Sequence, residues 1–502
     1  MLLLAVGLAS PLHAQAPSSR PLTSSLPTLG DDSAMSTSAE RRLGDRIARE
    51  IYRDPDYIDD PVLAEYVQGI WQPLLASARR GGDLSPELDE HFSWEIMLGR
   101  DRTVNAFALP GGYFGLHLGL LAVVNSRDEL ASVLGHELSH VTQRHISRLI
   151  SKQGQQTPWM IGAMILGVLA ASKNANVGNT LIVGGQAVAA QNQLNFSRDM
   201  EREADRIGFG VMTQAGFEAQ GFVLMFDKLQ QASRLNDNGA YPYLRSHPLT
   251  TERIADMQAR QLLAPPAAVS ATPTFEHALM AARARVLSNP GGDALRAMLQ
   301  EANAAAGAAL APPRQAGVLY GAALAASRLR DVAGAQEYLE RLSGLVRADA
   351  PAARLTRLLV VETGLAAGHV APAARVLGLP PVPVRRPELF LAAQLATQGG
   401  AGAALSEVVQ RLQLWVAAQP RDAQAWQLLA SAYAAQGQPL RAIRAEAEVQ
   451  MARLDYPAAQ DRLKAAQSLV HQSRVPDHIE ASIIDTRQRQ VTQLLKEQAL
   501  DH

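Results

Sequence analysis

His136-Glu137-Leu138-Ser139-His140 sets two imidazoles four residues apart with a carboxylate between them. On a helix, residues i and i+4 share one face, so both rings reach one point while Glu137 flanks it. Such a pair is suited to a divalent cation, zinc first, because hydrolytic zinc takes three nitrogen or oxygen ligands and keeps one open position. Water at that position has its pKa lowered to about 7, and Glu137 is placed to take its proton as general base. The chain has no cysteine, which excludes thiolate ligands, thiol nucleophiles and disulfides. The third ligand must therefore be His, Asp or Glu. Glu201-Arg202-Glu203-Ala204-Asp205, on a helix expected to begin near Ser197, offers Glu201. Asp205, one turn on, is then placed to accept a hydrogen bond from a ligand imidazole and fix its tautomer. Without the histidine pair, the same segment would read as a solvated charged helix face. Glu203 lies two residues from Glu201 and points to another face. His145, five residues past His140, projects away from the ligand face and reads as structural.

A helix must carry the histidine pair, and its start is marked. Ser126-Arg127-Asp128-Glu129 has the form of a capping box, and Leu130, Val133, Leu134, Leu138 and Val141 follow at helical spacing. Phe92–Leu98 and Asn105–Leu109 read as short strands, which makes 39–263 an α+β unit. A Pro/Ala-rich stretch, 264–273, reads as a linker. Beyond it, 274–502 is rich in Ala, Leu and Gln with short Gly or Pro interruptions, which suits pairs of short packed helices. Trp426, Leu429, Ala430, Tyr433 and Ala442 resemble the tetratricopeptide spacing, with Gly437-Gln438-Pro439 at the turn. A plain helical bundle is the alternative.

At 502 residues with 47% hydrophobic and 19% charged, the chain is globular and long enough for two or three domains. Lys+Arg 47 against Asp+Glu 48 leaves a net charge of -1 and no basic stripe, so nucleic acid is excluded as a partner. The apolar run Leu2–Leu12 followed by small residues at Ala14 and Ala16 reads as a secretory signal peptide, 1–16, ahead of a flexible Ser/Pro/Thr-rich lead-in, 17–38. No Lys or Arg precedes the run, so either the true start lies upstream or the signal is a weak one. Trp159–Ala171 and Val177–Ala190 are too short for a transmembrane span. They read as buried helices, or as a surface that touches lipid or a nascent membrane protein.

The segment His136–His145, the Glu201–Asp205 segment and Asn105-Ala106-Phe107-Ala108-Leu109-Pro110-Gly111-Gly112 together resemble the HtpX-related zinc metallopeptidases. Within that group the chain is similar to the BepA-like periplasmic peptidases, which carry tetratricopeptide repeats after the protease domain. The resemblance covers most of residues 40–500 and is most specific between 100 and 260. It implies a fold that is α+β and mainly α: a zincin-type metalloprotease domain followed by an α-helical tetratricopeptide-repeat array. It also implies one zinc ion, a periplasmic location, unfolded or misassembled outer-membrane proteins as substrates, and docking of the repeats on the outer-membrane β-barrel assembly machinery.

In that family Asn105–Gly112 would be the strand and turn beside the metal, an edge that pairs with an extended substrate backbone, with Asn105 a candidate substrate contact. An ordinary hairpin with a Pro-Gly-Gly turn is the alternative. His247, in Arg245-Ser246-His247-Pro248, resembles a plug that approaches the open zinc position; alternatively it steadies the oxyanion, with Arg253 nearby. Two functions follow from different classes. One is an active endopeptidase working through Glu137; the other is a non-enzymatic chaperone or scaffold for outer-membrane protein assembly acting through its repeats. A general base beside the ligands favours the first, since a structural site needs none.

Overall fold

Helices α1 (Thr37–Arg53), α2 (Pro61–Gly81) and α3 (Pro86–His91) start at Ser36, Asp60 and Ser85, whose side chains accept the amides of Ala39, Leu63 and Leu88. Each cap satisfies an amide that the first helical turn leaves without a partner. The computed structural model describes residues 35–152, 196–234, 240–263, 273–305, 309–378, 383–400, 402–472 and 477–499. These all belong to one compact unit, Met35–His502. The expected signal peptide, nearly all of the lead-in, both apolar stretches between Trp159 and Ala190, and all but Pro273 of the expected linker lie outside the described residues.

The sheet has four strands in the order β1-β2-β4-β3: β1 (Tyr57–Ile58), β2 (Glu95–Gly99), β3 (Ala106–Leu109) and β4 (Tyr113–His117). β2 runs parallel to β4, and β3 is antiparallel to β4, pairing Ala106 with Leu116 and Leu109 with Tyr113. Pro110-Gly111-Gly112 closes that hairpin, with Gly111 at φ 73° and Gly112 at φ 80°. A Cβ on Gly112 would stand 2.8 Å from Phe92 Cβ, and one on Gly111 would stand 2.9 Å from Arg41 Cα. Both positions therefore require glycine. β3 is the sheet's edge and packs beside the histidine helix. On the other side Trp71 of α2 is fully buried, edge-on to Phe114 of β4 at 4.6 Å.

After α4 (Leu118–Val123) comes the helix that carries the motif, α5 (Arg127–Thr142), buried from Glu129 to Thr142. Ser126 accepts the Glu129 amide at 3.1 Å, and the Glu129 carboxylate accepts the Asn125 amide at 2.8 Å. Then follow α6 (His145–Lys152), α7 (Arg198–Gln214), α8 (Gln220–Arg234), α9 (Tyr243–Ser246) and α10 (Thr251–Leu263). α7 lies along α5, and the two cross with Gly135 against Gly208. A Cβ on Gly208 would come within 2.9 Å of Gly135 C and of the His136 amide nitrogen. Glycine on both helices thus lets their backbones approach closely enough for residues of α7 to reach the histidines of α5.

The remaining chain is helical: α11 (Phe275–Ser288), α12 (Gly292–Ala305), α13 (Pro312–Arg328), α14 (Val332–Val346), α15 (Ala350–Ala366), α16 (Val370–Leu377), α17 (Arg386–Gly399), α18 (Ala403–Ala418), α19 (Ala423–Ala435), α20 (Pro439–Ala452), α21 (Tyr456–Gln472) and α22 (His478–Ala499). From α13 onward each helix packs on the next, the nearest-neighbour order of a stacked array. Trp426, Leu429, Ala430, Tyr433 and Ala442 are buried in one cluster, and Gly437 turns between α19 and α20 at φ 69°. The largest apolar cluster does not stop at the Pro/Ala-rich stretch: it runs from α2, α4 and α5 through α11 and α13 to Leu395 of α17. Among the described residues no helix is long and apolar enough to cross a membrane.

Arginines fasten this array to the α/β half. Arg283 of α11 reaches Asp60 at 2.6 Å and Glu362 of α15 at 2.8 Å. Arg354 of α15 reaches Glu65 of α2 at 2.8 Å and Glu388 of α17 at 2.6 Å. Arg386 of α17 reaches Asp59 at 2.7 Å and Asp422 at 2.8 Å.

Candidate metal centre

His136 and His140 face inward from α5, Glu201 comes from α7, and His247 follows α9; all four are buried, with ligand-type atoms within 4.8 Å of one another. His136 Nε2 lies 3.0 Å from His140 Nε2 and 3.6 Å from Glu201 Oε2, and His140 Nε2 lies 3.5 Å from Glu201 Oε1. Ligands held about 2.0–2.1 Å from one tetrahedral ion stand roughly 3.3 Å apart, so the three groups fit a single zinc-sized cation. The proton positions agree. His136 Nδ1 donates to Asp205 Oδ1 at 2.9 Å, which turns the lone pair of its Nε2 toward Glu201. Two imidazole lone pairs and a carboxylate converging in a buried space are donors that could hold a cation.

Glu137 is buried beside the cluster, and neither of its carboxylate oxygens has a well-aligned hydrogen bond among the described residues. Burial raises its pKa above the ordinary carboxylate value, although His247 and His136 oppose the rise. Burial, reinforced by His136 and His247, pushes His140 well below the ordinary imidazole value and keeps it neutral, the form that binds a metal. Burial acts to raise Glu201 and Asp205. His247, His136 and Arg253 outweigh it at Glu201, and Arg253 and His136 outweigh it at Asp205, so both carboxylates stay below their ordinary values.

Residues 65–261 match the family model described as peptidase family M48, and the four clustered residues fall inside that span. Residues 65–261 are similar to the M48 peptidases. A Vibrio cholerae relative is 34% identical over 269 residues, 53% of each chain. The beta-barrel assembly-enhancing protease of Escherichia coli (strain K12) is 31% identical over 252 residues, 50% of each chain. The mitochondrial metalloendopeptidase OMA1 of Saccharomyces cerevisiae is 28% identical over 196 residues, 38% of this chain and 54% of its own. The match spans about half the length of each of these relatives.

Within the span similar to M48, His247 lies against the other three members of the cluster. Its Nδ1 is 3.0 Å from Glu201 Oε1 and 3.3 Å from His136 Nε2, and its Nε2 is 3.5 Å from Glu137 Oε1. Tyr243 stacks on its ring, with centroids 4.6 Å apart. Burial works against a charge on His247, but Glu137 and Glu201 outweigh it and raise its pKa.

Arg253 is buried and faces the acids rather than an open substrate position. Its Nε and Nη2 donate to Asp205 at 2.6 and 2.8 Å, and its Nη1 lies 2.8 Å from both Glu201 Oε2 and the Pro248 carbonyl. The guanidinium therefore holds Asp205 and Glu201 in place. Asn105, buried ahead of β3, enters through its backbone, its carbonyl accepting the His117 amide at 3.0 Å.

Sequence spacing missed four neighbours of the site. Phe196 stacks on His140 with centroids 3.9 Å apart, and Tyr243 stacks on His247. His145 does not project away: its Nδ1 is 3.0 Å from His140 Nδ1, and its Nε2 is 3.0 Å from Glu203 Oε2. A third histidine so close to the motif is the one signal that pointed to this pair.

Proposed function

We propose that this protein is an exported zinc metalloendopeptidase that hydrolyses peptide bonds of misfolded or stalled outer-membrane proteins in the periplasm. The observation that carries the reading is Glu137: a buried carboxylate without a well-aligned hydrogen bond, beside two imidazoles and a carboxylate that fit one ion. His136, His140 and Glu201 would hold a zinc ion, which when bound would supply Lewis acidity and lower the pKa of water to about 7. Glu137, with its pKa raised by burial, takes the proton from water and returns it to the leaving amine. Asp205 fixes the His136 tautomer, and Arg253 fixes Asp205. The β3 edge gives an extended substrate a backbone ladder that reads no side chains, which suits unfolded clients.

His247 serves as a plug in this reading, its imidazole set against Glu201, His136 and Glu137 until a substrate displaces it. The helical array is tetratricopeptide-like and docks the enzyme on the outer-membrane β-barrel assembly machinery; the similarity to the beta-barrel assembly-enhancing protease of Escherichia coli supports a link to that assembly. The test is cleavage of an unfolded outer-membrane protein by zinc-loaded wild type, Glu137→Gln and His247→Ala. Cleavage by the wild type or by His247→Ala that Glu137→Gln abolishes supports the peptidase. No cleavage by any of the three, with zinc bound, supports the scaffold reading instead.

A further inference from the structure

We propose that His145 and Glu203 are positioning residues for the ligand His140, fixing its ring and its tautomer. The inference rests on His136, His140 and Glu201 being the metal ligands. His140 turns Nε2 toward His136 and Glu201, so as a neutral ligand it carries its proton on Nδ1. That nitrogen faces His145 Nδ1 at 3.0 Å. An N–H must meet a lone pair, so His145 carries its own proton on Nε2, which donates to Glu203 Oε2 at 3.0 Å. Arg148 Nη1, 3.1 Å from the same oxygen, holds that carboxylate from the surface side. The two ligand imidazoles thus have separate acceptors: Asp205 directly for His136, and a carboxylate one imidazole further out for His140.

A break in the helix builds this contact. Continued without interruption, α5 would place His145 about 140° around its axis from His140. Instead α5 ends at Thr142, and Arg144 takes φ 52°, a left-handed conformation that costs a non-glycine residue about 1–2 kcal/mol. Glu40 holds it there, accepting from Arg144 Nε at 3.1 Å and Nη2 at 2.9 Å. α6 then begins with His145 turned back against His140, centroids 5.0 Å apart and planes at 76°. An outlier held by a half-buried ion pair, with a ligand's hydrogen bond as its result, fits strain kept for a site.

The test measures zinc affinity of the full chain by chelator competition, and nitrogen-15 imidazole spectra of the metal-free protein. His145→Leu removes the acceptor at similar volume; its zinc dissociation constant should rise about 10- to 100-fold, and the His140 Nδ1–H signal should give way to a mixture of tautomers. His145→Gln, whose carbonyl accepts from His140 while its amide donates to Glu203, should recover most of the affinity. A lower melting temperature with zinc affinity and tautomer unchanged would mark a merely structural role and overturn the proposal. Should His145→Leu fail to fold, Glu203→Ala at the half-exposed end decides: affinity within twofold of wild type and an unchanged tautomer overturn it. Wild type that binds no zinc overturns the metal-site reading itself, which is distinct from variants that bind as wild type does.

Discussion

Replacing Gly208 by alanine plants a methyl group where α5 and α7 cross. The new Cβ would lie 2.9 Å from Gly135 C and from the His136 amide nitrogen, against 3.4 Å or more for ordinary contact, so the backbones must part by about 0.5 Å at a ligand residue. Overpacking of this kind costs about 1–3 kcal/mol. Alanine's better helix propensity offsets about 0.5–1 kcal/mol of that, so melting temperature alone is a poor readout. Metal affinity is the sharper one, because α5 carries His136 and His140 while α7 carries Glu201. Strain relieved by separating the helices appears as lost binding, and at 1.4 kcal/mol per factor of ten the zinc dissociation constant should rise between about 5- and 150-fold. Gly210→Ala, on the same helix but with only a Gln214 side-chain atom 3.8 Å away, is the control and should bind zinc as wild type does. Chelator competition on both variants decides; Gly208→Ala binding zinc within twofold of Gly210→Ala would refute the crossing argument.

Chelation of the metal should lower the melting temperature, since a ligand that binds only the native state stabilises it by about 4 kcal/mol at a thousand times its Kd, and Glu201→Gln should abolish most of that difference. Arg283→Ala leaves Asp60 buried without its guanidinium and should destabilise the fold by about 3–5 kcal/mol in urea unfolding. For pH, His277 is informative because it stands outside the metal centre: its Nε2 donates to the Val124 carbonyl at 2.8 Å while its Nδ1 accepts from Tyr66 at 2.6 Å. Burial lowers its pKa below 6.5, so the stability tied to its neutral form is present above pH 6.5 and lost as pH falls through the folded value. The metal-free melting temperature should therefore drop less between pH 7 and pH 5 in His277→Gln than in wild type; equal slopes would remove His277 from the acid response.

Local signals were readable in the sequence. The cap at Ser126 and the periodic apolar residues put the motif helix at Arg127, where α5 begins, and Ser197 caps the helix of Glu201. The strand-like stretch in the sequence starts at Phe92, but pairing with β4 begins only at Glu95. What periodicity could not supply was any departure from it. Helical spacing turns His145 away from His140 because it extends a helix that Arg144 ends, and it does not reach the partners of Arg253, which lie 48 and 52 residues away in sequence. The pairs Arg283–Asp60, Arg354–Glu65 and Arg386–Asp59 are more distant still, and no spacing rule reaches across such separations.

Those three arginines bear on how the molecule comes apart. Each holds one acid beside or within α2 and a second acid in the array, so no single element can leave without stripping a partner from the others. α11 and α17 also pack directly on α4 and α2. A chain cut after Leu263 would keep the M48 segment yet leave Asp59, Asp60 and Glu65 without their cations and bare the apolar side of α4. Such a fragment should populate a loosened, aggregation-prone state, and the intact protein should unfold the array's first helices and the metal domain in one cooperative transition. The cooperative boundary then lies inside the helical array, where the shared core ends near Leu395, rather than at the composition break near residue 270.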